Sequence, residues 1–288
     1  MVKLIVSDLD GTLLNQEGKV SEENKRALHL AQQQGVQVMI ATGRPYRSAM
    51  EVVEEAGLQC PLIYLNGACI QTQNGERIQS IPLGREQVQK LHQRFKEIGI
   101  YHQAYTDQGL YASREGFDHL KVEIDRLKST NPALDSDILK SATVDRLKQY
   151  CVAGEHVEDV LHKSDAVIYK MLAFSMVNDK LEQARTRAEE IEGVVVTASA
   201  DNNIEVNHPE AQKGKAVALY AEKLGIPLDQ VMVIGDNHND LSMMRIAGVS
   251  VAMGNADEEV KRVCKYVTRP NSEHGVAYAI EKWALGKA

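Results

Sequence analysis

Short apolar runs alternate with stretches of helical spacing at both ends of the chain, and this alternation limits the fold more than any other feature. Residues 4–7 form an apolar run of strand length. Ser21-Glu22-Glu23-Asn24 reads as a helix start with acids in its first turn. Ala27, Leu28 and Ala31 follow at helical spacing, and Gly35 ends the segment. Residues 36–41 are a second strand, 46–56 a second helix closed by Gly57, and 61–65 a third strand. This βαβαβ order predicts a parallel sheet with right-handed crossovers.

The rhythm then breaks. Residues 70–81 read as a hairpin around Asn74-Gly75, a pair suited to a tight type I′ turn. A helix over 84–98 leads to short strands near 101–105 and 110–112. The stretch 114–165 is polar with weak helical patterning. A strand over 166–174, a helix over 179–192 and two antiparallel segments, 194–197 and 204–206, complete an α+β middle region. After Lys213 the alternation returns: helix 214–224, strand 231–236, helix 240–247, strand 249–253, helix 257–264, a short strand at 266–268 and a final helix over 276–283. The expected organisation is one α/β domain made of 1–82 plus 200–288, interrupted by a separate module at 83–199.

Composition narrows the function. The 288 residues are 43% hydrophobic and 25% charged, enough to bury a sizeable core. The net charge is −7, no dense Lys/Arg cluster is present, and aromatics are only 5%, so a nucleic-acid partner is not expected. The acidic balance disfavours anionic membrane surfaces, and no stretch approaches the roughly 18 apolar residues of a span. The N-terminal segment lacks the pattern of a signal peptide. Cys60, Cys69, Cys151 and Cys264 form no CxxC pair and read as reduced thiols, so a cytoplasmic setting is expected.

Three polar clusters follow predicted parallel strands at their carboxyl ends, where open α/β sheets place ligands. The first is Asp8-Leu9-Asp10-Gly11-Thr12, two acids followed by a glycine that permits an abrupt turn. Alone it would read as an acidic turn. The second is Thr42-Gly43-Arg44, a hydroxyl and backbone N–H groups ahead of a helix, suited to a phosphate but equally to a plain helix entry. The third is Gly235-Asp236-Asn237-His238-Asn239-Asp240. Two acids and two amides exceed what a helix cap requires, and oxygen ligands of this kind suit Mg²⁺.

D-L-D-G-T, A-T-G-R, an isolated later lysine and G-D-x-x-N-D, in that order, resemble the four motifs of the haloacid dehalogenase-like hydrolase superfamily. The order resembles most the Cof-type group, whose cap domain lies between the second and third motifs. Asn66-Gly67-Ala68 and V-A-M-G-N-A at 251–256 also look like this group. The resemblance implies a Rossmann-like parallel-sheet core with an inserted α+β cap. It implies a phosphatase in which Asp8 attacks phosphorus and Asp10 gives, then takes, the proton. Mg²⁺ would be held by Asp8, the carbonyl of Asp10 and Asp236. Asn239 and Asp240 would ligate it or its waters, or orient Lys213. Thr42 and the Gly43 N–H would hold phosphoryl oxygens, and Lys213 would neutralise charge on the nucleophile and the phosphoryl group.

Lys213 is preferred over Lys215 because it precedes Gly214. Gln212 stands where members of the family often have a small residue, and His274 where they often carry an acid. His238 reads as a solvent-facing turn residue. Arg44 is open between binding substrate and pairing with an acid. The expected partner is a small phosphorylated metabolite, a sugar phosphate or a nucleotide or cofactor precursor, acted on by a monomer or small homo-oligomer. A phosphomutase or phosphotransferase on the same fold, and a non-catalytic metabolite-binding protein, are the alternatives.

Overall fold

The computed structural model describes residues 1–130, 143–145, 147–163 and 165–286; the part of the polar 114–165 stretch at 131–142 lies outside them. Two compact units divide the chain, Met1–Ile81 with Glu210–Ala288, and Pro82–Pro209.

In the first unit the chain opens with β1 (Leu4–Ser7), α1 (Glu22–Gln33), β2 (Gln37–Ala41), α2 (Tyr46–Glu55) and β3 (Leu62–Tyr64). Ser21 caps α1 by accepting a hydrogen bond from the Asn24 N–H at 3.3 Å. The hairpin β4 (Cys69–Gln71) and β5 (Arg77–Ser80) follows. Its turn is formed by residues 72–75, closed by the Gly75 N–H donating to the Thr72 carbonyl at 3.0 Å. Gly75 has φ 85° but Asn74 is not at positive φ, so the expected type I′ turn at Asn74-Gly75 is not formed.

The inserted unit runs α3 (Arg85–Ile98), β6 (Tyr101–Thr106), β7 (Leu110–Ala112), α4 (Gly116–Thr130), α5 (Val157–His162), β8 (Ile168–Phe174), α6 (Asn178–Glu189), β9 (Val195–Thr197) and β10 (Asn203–Asn207). Its five strands pair antiparallel in the order β7-β6-β8-β10-β9. Val88, Leu91 and Phe95 of α3 and Leu181 and Ala184 of α6 share a buried core with Met171, Ala173, Ile204 and Val206 of the sheet. Neighbouring residues on a strand point to opposite faces, so Lys170 and Glu205 occupy the other side. They form an ion pair at 2.8 Å, with side chains 1% and 3% exposed, and the Lys170 ammonium lies 4.3 Å from the centre of the Tyr105 ring. β10 is hydrogen-bonded to both β8 and β9, so residues 203–207 belong to this unit. The expected boundary had assigned residues from 200 onward to the α/β domain, although the βα alternation itself returns only after Lys213.

The chain re-enters the first unit with α7 (Lys213–Lys223), β11 (Val231–Gly235), α8 (Leu241–Met244), β12 (Val249–Ala252), α9 (Glu258–Val263), β13 (Tyr266–Val267) and α10 (Gly275–Ala279). The eight strands of this unit run in the order β13-β12-β11-β1-β2-β3-β4-β5, with β13 through β3 parallel and the hairpin antiparallel. Leu4, Val6, Met39, Ala41 and Val233 pack with Ala216, Val217 and Tyr220 of α7 and Met243 of α8. α1 and α10 pack against each other. Among the described residues no helix is long and apolar enough to cross a membrane.

The buried pair gives a stability test for the inserted unit. Glu205→Ala leaves the Lys170 ammonium buried without its anion and should cost about 3–5 kcal/mol. Replacing both with apolar residues of similar volume should recover most of that loss, read from urea unfolding midpoints.

Candidate active site

Three adjacent strands bring the polar clusters together. β1 lies between β11 and β2, with Ser7 in register with Ile234 on one side and Ile40 on the other. Asp8, Asp236 and Thr42, each just past its strand, therefore emerge side by side. The Asp8 N–H donates to the Ile234 carbonyl at 2.9 Å, and the Thr42 N–H to the Ile63 carbonyl at 2.9 Å.

After Asp8 the chain folds back sharply through residues 9–13. Gly11 makes this possible at φ 76°. A Cβ there would also lie 2.2 Å from Asp236 Oδ2, so the position excludes side chains twice over. Thr12 Oγ1 donates to Asp236 Oδ1 at 2.7 Å and ties the turn to the neighbouring strand. Asn255 Nδ2 donates to the Gly11 carbonyl at 2.8 Å. Its own Oδ1 accepts from the Asn271 N–H at 2.8 Å, and Asn271 Nδ2 donates to the Leu14 carbonyl at 2.8 Å. V-A-M-G-N-A thus acts partly as a clamp on the turn that carries Asp10.

Lys213, at the first position of α7, is fully buried. Its Nζ lies 2.6 Å from Asp8 Oδ1 and 2.6 Å from Asp240 Oδ1. Asp240 Oδ2 accepts the backbone N–H groups of Asp236 at 3.0 Å and Asn237 at 3.1 Å. Both oxygens of Asp240 are therefore engaged in orienting the lysine and bracing the turn. Gly214 lets α7 approach α8: its N–H reaches Ser242 Oγ at 3.0 Å, and a Cβ there would stand 2.2 Å from the Ser242 carbonyl oxygen. Lys215 pairs instead with Glu210 at the surface.

One oxygen each from Asp8, Asp236 and Asp240 lie within 4.8 Å of one another. Burial pushes the Asp8 carboxyl well above the usual carboxylate range, against the pull of Lys213 and with further push from Asp240, Asp236 and Asp10. Burial and the Asp240 charge push Asp236 up to about 7. Burial works against the Lys213 ammonium, but the two carboxylates outweigh it and its pKa is raised. A concentration of anions this dense and dry fits a divalent cation. Asp8 and Asp236 are the less engaged carboxylates, each with one oxygen accepting from a protein side chain, whereas both Asp240 oxygens accept from protein donors.

The remaining expected residues divide. Thr42 is buried, and its Oγ1 accepts the Arg44 N–H at 3.1 Å; Gly43 lies between them in the loop. The Asp10 carboxylate is joined to Arg44, which donates Nε to Oδ2 at 2.7 Å and Nη2 to Oδ1 at 2.6 Å. Asn239 Nδ2 donates to Asn66 Oδ1 at 3.3 Å. Asn66, buried at φ 59°, is a residue whose role the sequence signalled only as the Asn66-Gly67-Ala68 likeness. Thr12, Ser242, Asn255 and Asn271 had no assigned role, and only Thr12 and Asn255 sit in recognisable motifs. His238 is about half exposed, 3.7 Å from Asp257 and 3.5 Å from Glu259. His274, at φ 57°, has Nδ1 2.9 Å from Ser21 Oγ and 3.4 Å from Glu23, so it braces the start of α1.

A family model described as haloacid dehalogenase-like hydrolase matches residues 5–280. Phosphatase YwpJ of Bacillus subtilis (strain 168) is 36% identical over 282 residues, covering 97% of this chain and 99% of that protein. The 5-amino-6-(5-phospho-D-ribitylamino)uracil phosphatase YwtE of the same organism is 34% identical, covering 99% of each. Among solved structures, a haloacid dehalogenase-like hydrolase from B. subtilis superposes with a TM-score of 0.84 at 34% identity, covering 98% of this chain and 100% of that one. The chain belongs to the haloacid dehalogenase-like hydrolases.

Removing the lysine exposes the electrostatic design. Lys213→Met should destabilise the first unit by about 3–5 kcal/mol, because Asp8 and Asp240 are left buried without their cation. Adding Asp240→Asn should return part of that loss, measured by chemical denaturation of both variants.

Proposed function

We propose that the chain is a magnesium-dependent phosphatase that hydrolyses small phosphomonoesters through an aspartyl phosphate on Asp8. The observation that carries this reading is the buried Asp8 carboxylate held at 2.6 Å by Lys213, with a second, partly exposed acid two residues further on. A nucleophilic carboxylate must be ionised and fixed in direction; Lys213 fixes its direction and pulls it towards the ionised form against the effect of burial. An Asp8 oxygen attacks phosphorus as the ester P–O bond breaks. Asp10 gives its proton to the departing oxygen. It then takes a proton from the water that attacks the phosphoenzyme, which releases inorganic phosphate and restores Asp8. Thr42 and the Gly43 N–H hold phosphoryl oxygens, and Lys213 offsets the charge gathered around Asp8.

Asp8 and Asp236, with the Asp10 carbonyl, would hold the Mg²⁺, which supplies charge neutralisation for the phosphoryl group. Asp240 acts through Lys213 and the backbone. Asn239 acts with Asn66 on the same turn. Two curated relatives at 34% and 32% identity are named 5-amino-6-(5-phospho-D-ribitylamino)uracil phosphatase. That ester belongs first in a substrate panel, beside sugar phosphates and nucleotides.

Phosphate release should require Mg²⁺, stop with EDTA, and fall at least about 10³-fold in Asp8→Asn. Release from the panel that is indifferent to Asp8→Asn would sink the reading. A second outcome follows from the raised carboxyl groups. Without metal, an acid whose folded pKa exceeds its unfolded value opposes folding as pH rises from about 4, and for Asp236 this effect is complete above about 7. A cation on the ionised carboxylates reverses that penalty. The Mg²⁺-induced rise in Tm should therefore be small at pH 5.5 and grow towards pH 8 in calorimetry.

A further inference from the structure

Arg44 meets Asp10 fork to fork, and both carboxylate oxygens receive a cationic N–H. A carboxylate gripped in this way is held facing the guanidinium on both oxygens rather than facing a leaving group. Yet the function proposed above requires Asp10 to present a proton to the leaving oxygen. The resting geometry and the working geometry are therefore different states, and Arg44 separates them.

The surroundings define which part moves. The Arg44 backbone is anchored: its N–H donates to Thr42 Oγ1 at 3.1 Å, and its carbonyl accepts the Leu65 N–H at 3.1 Å. Beyond the fork, Nη1 of the guanidinium lies 3.5 Å from Ser48 Oγ. The Arg44 side chain is 27% exposed and that of Asp10 57%, so water weakens the pair and an incoming anion can compete for the fork. The arginine also belongs to the loop whose Thr42 hydroxyl and Gly43 N–H are assigned to phosphoryl oxygens. A phosphate ester held there brings dianionic oxygens whose geometry matches the guanidinium as well as a carboxylate does.

We propose that Arg44 is a two-position residue, holding Asp10 in the resting enzyme and passing to the phosphoryl group of an arriving ester, which releases Asp10 as the proton donor. Arrival of substrate then assembles the acid. No covalent bond changes in this step: one ion pair is exchanged for another. The inference rests on Asp10 as the proton carrier, and its test separates the two ideas.

The direct experiment is a crystal structure of the Mg²⁺-loaded enzyme with inorganic phosphate bound. The fork should lie on phosphate oxygens, with the Arg44–Asp10 separation opened beyond about 4 Å, the limit of an ion pair. Arg44 still on both Asp10 oxygens with phosphate in place overturns the proposal. In kinetics, Arg44→Ala should raise KM about tenfold for p-nitrophenyl phosphate and for an alkyl phosphate alike, the size of one lost charged contact. Arg44→Lys, which keeps the charge without the fork, should recover only part of that rise. An Arg44→Ala KM within about twofold of wild type also overturns the switch. Asp10→Asn tests the layer beneath. It should slow the alkyl ester far more than p-nitrophenyl phosphate, whose leaving group departs without a proton. Equal slowing of both removes Asp10 as the acid, whatever position Arg44 takes.

Discussion

The site depends on one buried ammonium. Lys213 lies between Asp8 and Asp240 at 2.6 Å from each, with its side chain out of contact with solvent. A buried lysine is costly unless anions are fixed against it. Asp8 is fixed by the end of β1, and Asp240 by the two backbone N–H groups that its other oxygen accepts. The cation thus couples a segment near the N-terminus to one more than two hundred residues later. It arrives on a third segment, α7, which the chain reaches only after completing the inserted unit.

That insertion is tolerated because it interrupts no strand pairing of the eight-stranded sheet. It leaves after Ile81, following the β4–β5 hairpin, and returns at Glu210, ahead of α7. Each unit has its own apolar cluster, so neither requires the other's residues to exclude water from its interior. What the first unit requires from the returning chain is specific: β11 beside β1, α7 over the sheet, and Lys213 at the first position of that helix.

Much of this was legible in the sequence because it is local. An apolar run ending in Asp8-Leu9-Asp10-Gly11 carries its own strand, turn and acids, and the same holds for β11 with Asp236. Their adjacency follows from the parallel order of β11, β1 and β2. Lys213 was legible only through Gly214, since nothing around A-Q-K-G-K marks one lysine as buried and Lys215 as exposed. The Arg44–Asp10 fork joins residues 34 apart in sequence, so the open choice between substrate and acid could not be decided from either motif. Asn255 and Asn271 grip the turn after Asp8 through hydrogen bonds spanning 244 and 257 residues. An asparagine's neighbours do not reveal which distant carbonyl it will meet. His274 is similar: standing where an acid is common in the family, it turns back onto Ser21 and Glu23, contacts 253 residues or nearly so away.

The same geometry locates the site's remaining charge imbalance. Asp240 and Asp10 each face a cation, Lys213 and Arg44 respectively. Asp8 shares its lysine with Asp240. Asp236 has the neutral Thr12 hydroxyl as its close donor, and burial with the Asp240 charge raises its pKa to about 7. The uncompensated negative charge therefore gathers between Asp8 and Asp236, at the ends of neighbouring strands. A single divalent cation there would offset the charge that no protein cation balances, in a largely water-excluded setting. A phosphate dianion approaching this pocket meets net negative charge until the divalent cation is present, and the exchange proposed for Arg44 adds a second positive charge only once the anion has arrived.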